Sequence, residues 1–520
     1  MKKTIPWLCV IGLMVSIAVA RPAAAQAPVG YFVSEITCTN PDTSNALLSL
    51  VHYPENSTAA TIYEDPTPRS PGASVVYYLP NGGGGAPTSL SGSTYVNSDS
   101  RISCYQKTVR TDGPIGTTGT PARIGEANGL RVYTDSADTL YVPQVMRNFA
   151  STWNSYISIQ NMGLTDASVT VAYTKRTGSA ANANENITIP ARSSRVLYQA
   201  NNLSLPTDDN GGFMGSAIIT TASTGSRRIV ASVAFYNSAN IYQNSQFHSY
   251  NAFNGGATKL VVPRFVRNYY GFNSGISIQN LGNSSITVNI AFTFPSIPNG
   301  TYNFTSPLIA PGAVYAPYAK DIAAIAAVDI ATVEKRFGSA IVTTSGASII
   351  AIVNEDNRGT CWSAACPPIP VAQVGYGSTY SALPDDGSTN TATNVVVFPH
   401  VPRNIGGLAG GWQVSNLTNT STTCTMDYEG EPNAKFDVNA LAPFTANSKN
   451  FTLGANASVA VFLNNNNQNQ IVNLPNSFNK TVTISCSAVG ARIQGISNSS
   501  YQANSSYYGD SFTTANGFSK

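Results

Sequence analysis

Ile157-Ser158-Ile159-Gln160-Asn161 returns as Ile276-Ser277-Ile278-Gln279-Asn280, and in altered form as Trp412-Gln413-Val414-Ser415-Asn416. A degraded first copy ends at Asn40, so the four Asn markers stand 121, 119 and 136 residues apart. A recurrence at domain-sized spacing means an array of similar units, not one large catalytic fold. Working outward, each copy follows one plan. A leading phrase comes first: Val142-Pro143-Gln144-Val145-Met146-Arg147-Asn148, then Val262-Pro263-Arg264-Phe265-Val266-Arg267-Asn268, then Phe398-Pro399-His400-Val401-Pro402-Arg403-Asn404. The first copy lacks it.

Short alternating runs follow, such as Val169-Thr170-Val171-Ala172-Tyr173 and Ile286-Thr287-Val288-Asn289-Ile290. Period two over such lengths predicts half-buried strands. A turn comes next, at Ser70-Pro71-Gly72-Ala73, Ile189-Pro190-Ala191-Arg192, Ala310-Pro311-Gly312-Ala313 and Leu453-Gly454-Ala455-Asn456. Where Pro precedes Gly, one turn residue is fixed and the next is freed. Later strands begin at Gly92, Gly215, Gly338 and Lys480. Many short alternating strands in units of about a hundred residues predict an all-β chain of antiparallel β-sandwiches. The expected division is 1–27 signal peptide, then β-sandwich modules at 28–139, 140–258, 259–393 and 394–520. Helix is expected only in the Ala-rich stretch 319–335. That stretch occupies an address whose content differs in every copy (82–85, 205–212, 319–335, 464–470). An unconstrained surface loop and a recognition edge are both open readings of it.

The N-terminus has the parts of a secretory signal: Lys2 and Lys3, the apolar run 7–20, and Ala23-Ala24-Ala25. No later run is apolar and long enough to span a bilayer, so no transmembrane segment is expected. Charged residues make up 11% of the chain. Removing Lys2, Lys3 and Arg21 from the 29 basic residues leaves 26, equal to the 26 acidic ones. No basic field exists to attract nucleic acid. Zero formal charge also removes the repulsion that keeps molecules apart. Of seven Cys, Cys9 leaves with the signal. The six that remain are read as three disulfides of an oxidising compartment, Cys38–Cys104, Cys361–Cys366 and Cys424–Cys486, with zinc as the rival. Zinc lacks a CxxC pair or a neighbouring His to support it.

Catalytic patterns are missing. His52, His248 and His400 stand outside any HExxH arrangement. No G-x-S-x-G elbow accompanies the many serines. Gly82-Gly83-Gly84-Gly85 lacks the Lys-Ser/Thr of a phosphate loop and reads as a flexible loop. Asp208-Asp209-Asn210-Gly211 and Asp385-Asp386-Gly387 match turns rather than an EF-hand calcium loop. Neither a cofactor nor a metal is expected. The 26 Tyr suit half-exposed strands, with sugar stacking as the alternative. Sequons at Asn56, Asn186, Asn283, Asn416 and Asn498 matter only in a glycosylating host.

The Pro-x-x-x-Arg-Asn phrase, the Ile-Ser-Ile-Gln-Asn strand end and the Pro-Gly turn together resemble the tandem Ig-like sandwich repeats of secreted bacterial surface proteins. That resemblance implies tandem antiparallel Ig-like modules, four in a row, and a kinship with surface-layer, filament or adhesin components. The expectation is then a non-enzymatic, secreted structural protein forming a cell-surface assembly by self-association, as a homo-oligomer or polymer. The alternative is an adhesin or carbohydrate-binding protein that contacts a surface glycan through the variable loops. Arg147, Asn148, Arg267, Asn268, Arg403 and Asn404 are read as module-junction residues whose guanidinium groups bind carbonyls of a nearby turn. Residues 28–34 or 504–518 are the expected strand donors to a neighbouring molecule.

Overall fold

The computed structural model describes residues 31–79, 82–87, 90–111, 122–128, 135–176, 183–207, 211–222, 229–237, 246–295, 297–332, 335–357, 376–385, 392–405, 408–440, 442–463, 471–501, 513–516 and 518–519. It is all-β, and every strand pairing is antiparallel. No sheet mixes strands from more than one of the windows 31–128, 139–251, 259–384 and 395–519, called blocks one to four below.

Block two shows the plan most fully. One sheet runs Ala183–Ile189, Ala167–Lys175, Phe213–Thr221, Thr139–Arg147. The other runs Ser194–Tyr198, Trp153–Asn161, Ile229–Asn237, Phe247–Asn251. Alternation places Val169, Val171, Ile219 and Leu140 of the first sheet against Ile157, Ile159 and Val233 of the second in one buried cluster. Block three repeats this around Ile276, Ile278, Ile290 and Val342. Block four repeats it around Trp412, Val414, Met426 and Ile484. At roughly 25 cal/mol per Å² of apolar surface removed from water, such clusters dominate the folding free energy.

Block one is smaller. Its sheets run Ser74–Tyr78, Tyr31–Thr39, Ser103–Thr111, Ala122–Asn128 and Thr61–Glu64, Leu48–Pro54, Gly92–Ser98. The second sheet has three strands because no counterpart of Thr139–Arg147, Lys259–Val266 or Val395–Pro402 is present among the described residues. Those three leading strands are edge or near-edge members of the other blocks.

The marker Asn explains why the quoted phrase repeats. Asn161 Nδ2 donates to the carbonyls of Thr165, Ile189 and Pro190, and its Oδ1 accepts from Gly163 N–H. Asn280 bonds Ser284 O, Ile309 O and Gly282 N–H in the same way. Asn416 bonds Thr420 O, Leu453 O, Gly454 O and Thr418 N–H. Asn40 bonds Ser44 O, Arg69 O and Asp42 N–H. One buried amide thus closes a turn and ties it to a second turn some thirty residues on, pairing backbone groups of both.

The two outer disulfides form as expected. Cys38 faces Cys104 and Cys424 faces Cys486 across adjacent strands. Cys361 and Cys366 lie outside the described residues. The Ala-rich stretch corrects the expectation of a helix over 319–335. It forms two 3₁₀ turns, Ala319–Asp321 and Ala323–Ile330, broken at Ile322, whose φ of −93° and ψ of 91° are extended. Ala319, Ile322, Ile325 and Val328 are all buried. Their spacing of three places them on one stripe of a 3₁₀ turn and would scatter them around an α-helix.

Candidate functional site

The structure concentrates its buried polar groups where blocks meet. Each leading strand carries a Pro at an irregularity. The register shifts between Val262 and Phe265, between Phe398 and Val401, and opposite Gly215–Ala217 in block two. Proline has no N–H for the ladder, so a bulge is where a strand tolerates it. The bulge turns the next residue, Gln144, Arg264 or His400, off the core face. In blocks two and three a tyrosine clamps it. Tyr250 Oη donates to Gln144 O at 2.6 Å, and Tyr380 Oη donates to Arg264 O. Burial raises both phenol pKa values, so the donors keep their protons.

Gln144 reaches block three, where its Oε1 accepts from Ser277 Oγ at 2.9 Å and Asn354 Nδ2 at 2.6 Å. The leading strand of block three does the same toward block four, Pro263 O accepting from Gln413 Nε2. His400 of block four lies against Tyr105 of block one, ring centroids 5.7 Å apart. Burial, aided by the Lys107 charge, pushes the His400 imidazole down to about 3. The last block therefore touches the first. Equivalent contacts recur around the molecule. Ser216 Oγ donates to Gly312 O at 2.6 Å between blocks two and three, and Thr481 Oγ1 donates to Gly72 O at 3.4 Å between blocks four and one. Blocks one and two meet through Ser193 Oγ to Pro54 O at 3.1 Å and Val196 N–H to Glu55 Oε1 at 2.9 Å.

A late strand of each block lies beside two or more of the others. Phe247–Asn251 neighbours Ala122–Asn128 and Gly377–Ser381, and Thr513–Asn516 neighbours the same two. His248 Nδ1 shares a hydrogen bond with Thr379 Oγ1 at 3.0 Å, Gln246 Nε2 donates to Tyr376 O, and Asn516 Nδ2 donates to Ser381 O.

The sequence-predicted site residues take different places. Arg267 donates to Asp329 through Nε and Nη2 (3.0 and 2.7 Å) and to Ala319 O through Nη1. Arg403 donates to Leu474 O. Arg267 thus pins the variable loop of its own block, and Arg403 holds a carbonyl just beyond that of block four. Arg147 is half-buried, and its Nε has no hydrogen-bond partner. Asn148, Asn268 and Asn404 have φ of 47°, 51° and 54°, the left-handed conformation that Asn tolerates, and they turn the chain into the next strand. Sequence reasoning missed Arg336, fully buried, whose Nη2 donates to Asp329 O at 2.8 Å. It also missed the true seam residues. Asp385, read as a turn, binds Lys259 at 2.8 Å and Arg492 of block four. Burial alone would raise its pKa, but the two cations bring it below the usual carboxylate range.

His52 is held by Gly84 O at 2.7 Å and Thr94 Oγ1 at 2.9 Å, which makes Gly83–Gly85 an ordered 3₁₀ turn rather than a flexible loop. Among the described residues no cluster of three His, Cys, Asp or Glu side chains has metal-site geometry. A cleft of about 310 Å³ between blocks one and four is lined by Thr39, Asp42, Gly72, Thr481 and Thr483, without a nucleophile–base pair.

Fold and seams together define an all-β, disulfide-stapled protein of repeated antiparallel sheets held edge to edge by polar contacts. No protein-family profile matches the chain. No curated protein matches it either. Among solved structures, the vicilin of Corylus avellana (hazelnut) is similar at 5% identity, over 49% of this chain and 76% of that one, with a TM-score of 0.13.

Proposed function

We propose that this is a secreted, non-enzymatic structural protein that builds a bacterial cell-surface assembly by self-association. In this reading the four blocks are Ig-like β-sandwich modules, and the chain works as one stiff building unit. The observation that carries it is the set of seams. Four similar blocks share buried polar contacts, and the last one touches the first, so the unit has little freedom to bend. Two disulfides, in the first and last blocks, suit an oxidising exterior. No helix among the described residues is long and apolar enough to cross a membrane, and attachment to the cell is read as non-covalent.

Of the expected donor segments, residues 28–30 and 504–512 lie outside the described residues. Tyr31–Thr39 is paired along its length, and Thr513–Asn516 and Phe518–Ser519 pair with strands of their own block. Electron microscopy of the native cell surface, with light scattering of the mature chain over a range of concentration, tests self-association. An ordered lattice or fibre is expected; a strictly monomeric protein at high concentration and a bare surface would contradict it.

Adhesion through the variable loops is the second reading. It is favoured by Ile330, 89% exposed in the variable loop of block three, and by Leu203, 79% exposed just ahead of that of block two. Aliphatic tips suit a protein or lipid-like surface better than a glycan.

A further inference from the structure

Three of the four seams are built alike, and the fourth lacks a part. In each of the three, the leading strand of one block covers the outward face of the marker-Asn strand of the next. The residue facing it is Thr37 in block one, Ser277 in block three and Gln413 in block four, each 2% exposed or less. Phe272–Asn280 and Leu408–Asn416 are buried along their whole length. In block two the equivalent residue is Ser158. It is half-buried, as are Tyr156 and Gln160 on the same face. Gln160 lies beside Tyr95 of block one. The cross-strand neighbour changes too. Ile352 and Ile496 insert into the core of the preceding block, whereas Ser232 pairs with Ser158.

The strand that would cover this face is the leading strand of block one. Among the described residues Gly92–Ser98 is consequently an edge, although its counterparts Phe213–Thr221, Phe337–Thr343 and Asn479–Cys486 are interior strands. The Glu55–Ser91 backbone bond sets the phase of its ladder. Thr94, Val96 and Ser98 therefore direct N–H and C=O away from the sheet. The strand has no charge or proline to guard that edge. The marker spacing of 121 puts the missing strand at residues 18–26, inside the expected signal and cleavage region. Maturation would remove it.

We propose that the gap between Gly92–Ser98 and the outward face of Trp153–Asn161 accepts one extended strand donated by a different polypeptide of the cell surface. The three filled seams state its chemistry: about eight residues, apolar toward the block-one core, with an amide or hydroxyl toward Ser158, Gln160 and Ser232. The three leading strands of a second copy are already paired within their own blocks, so a copy could offer only a segment of its ends; the dimer arm of the test separates that case. The acceptor gives the structural protein a non-covalent attachment point, and it stands whether or not copies associate.

A synthetic peptide of residues 139–148 serves as the probe, titrated into the mature chain 28–520. Saturable one-to-one binding is expected. Val96→Pro removes one edge donor and Ser158→Arg fills the gap from the other side. Each should weaken binding by about tenfold or more. Ser158→Arg should leave the melting temperature unchanged, while Val96→Pro also loses packing against the block-one core. Absence of binding to the folded wild type, or equal binding to both variants, would overturn the proposal. A dimer of the mature chain that the peptide dissociates would overturn the choice of donor. Loss of lattice formation with peptide binding intact would instead count against the structural reading alone.

Discussion

A single amide sets the repeat. Asn280 satisfies two carbonyls and one N–H that are otherwise sealed from water. Asn280→Ala should cost about 2–3 kcal/mol, read as a shift of the urea midpoint, because it strands buried partners. The same change at an exposed Asn such as Asn439 should cost little. His400 offers a pH test. Its folded pKa lies near 3, below the ordinary 6.5, so protonation favours the unfolded chain. Its contribution is complete above pH 6.5 and is lost as pH falls toward 3, by a few kcal/mol at most. Comparing melting temperatures of wild type and His400→Gln from pH 7 to pH 4 isolates it, since the carboxylates are common to both. A wild-type curve no steeper than the variant's would remove His400 from the account. At this scale the sequence was legible where a residue repeats. The marker Asn, Cys38, Cys104, Cys424 and Cys486 were all found by position. The seam residues Gln144 and His400 were not, because their address holds a different residue in each copy. A pattern search reads that variation as surface drift.

Among elements, strands were legible and the variable loop was not. Alternation in Ala167–Lys175 reports a face that is buried every second residue, which is the signal period two detects. The stretch 319–330 misled because alanine content suggests α-helix, while the buried spacing of three marks 3₁₀ turns. Arg267 is what holds it. Arg267→Ala removes the charged donor to Asp329, which keeps the Asn268 amide, and the donor to two carbonyls. A loss of about 3 kcal/mol is expected in chemical denaturation. Hydrogen exchange should rise in 319–330 while the sheets stay protected; a global loosening without local exchange would point to a core role instead. The Cys424–Cys486 bridge closes a loop of 62 residues. Replacing both cysteines by serine should lower stability by about 4 kcal/mol on the chain-entropy account. A drop confined to block four, seen by limited proteolysis, would show that the blocks melt separately.

For the whole molecule, a repeat along the chain says nothing of how its parts are arranged. Tandem order along a chain is compatible with a rod or with closure. Closure is decided by contacts such as His400–Tyr105 and Thr481–Gly72, between residues hundreds of positions apart. Nothing local in the sequence encodes them. The account's central claim is that block four packs against block one. Small-angle X-ray scattering of the mature chain, measured on a dilute monomer fraction as it leaves a sizing column, tests this most directly. A closed arrangement should give a radius of gyration of about 23 Å, the value for a compact chain of this length. A radius roughly double that, with the long-tailed distance distribution of a rod, would contradict it.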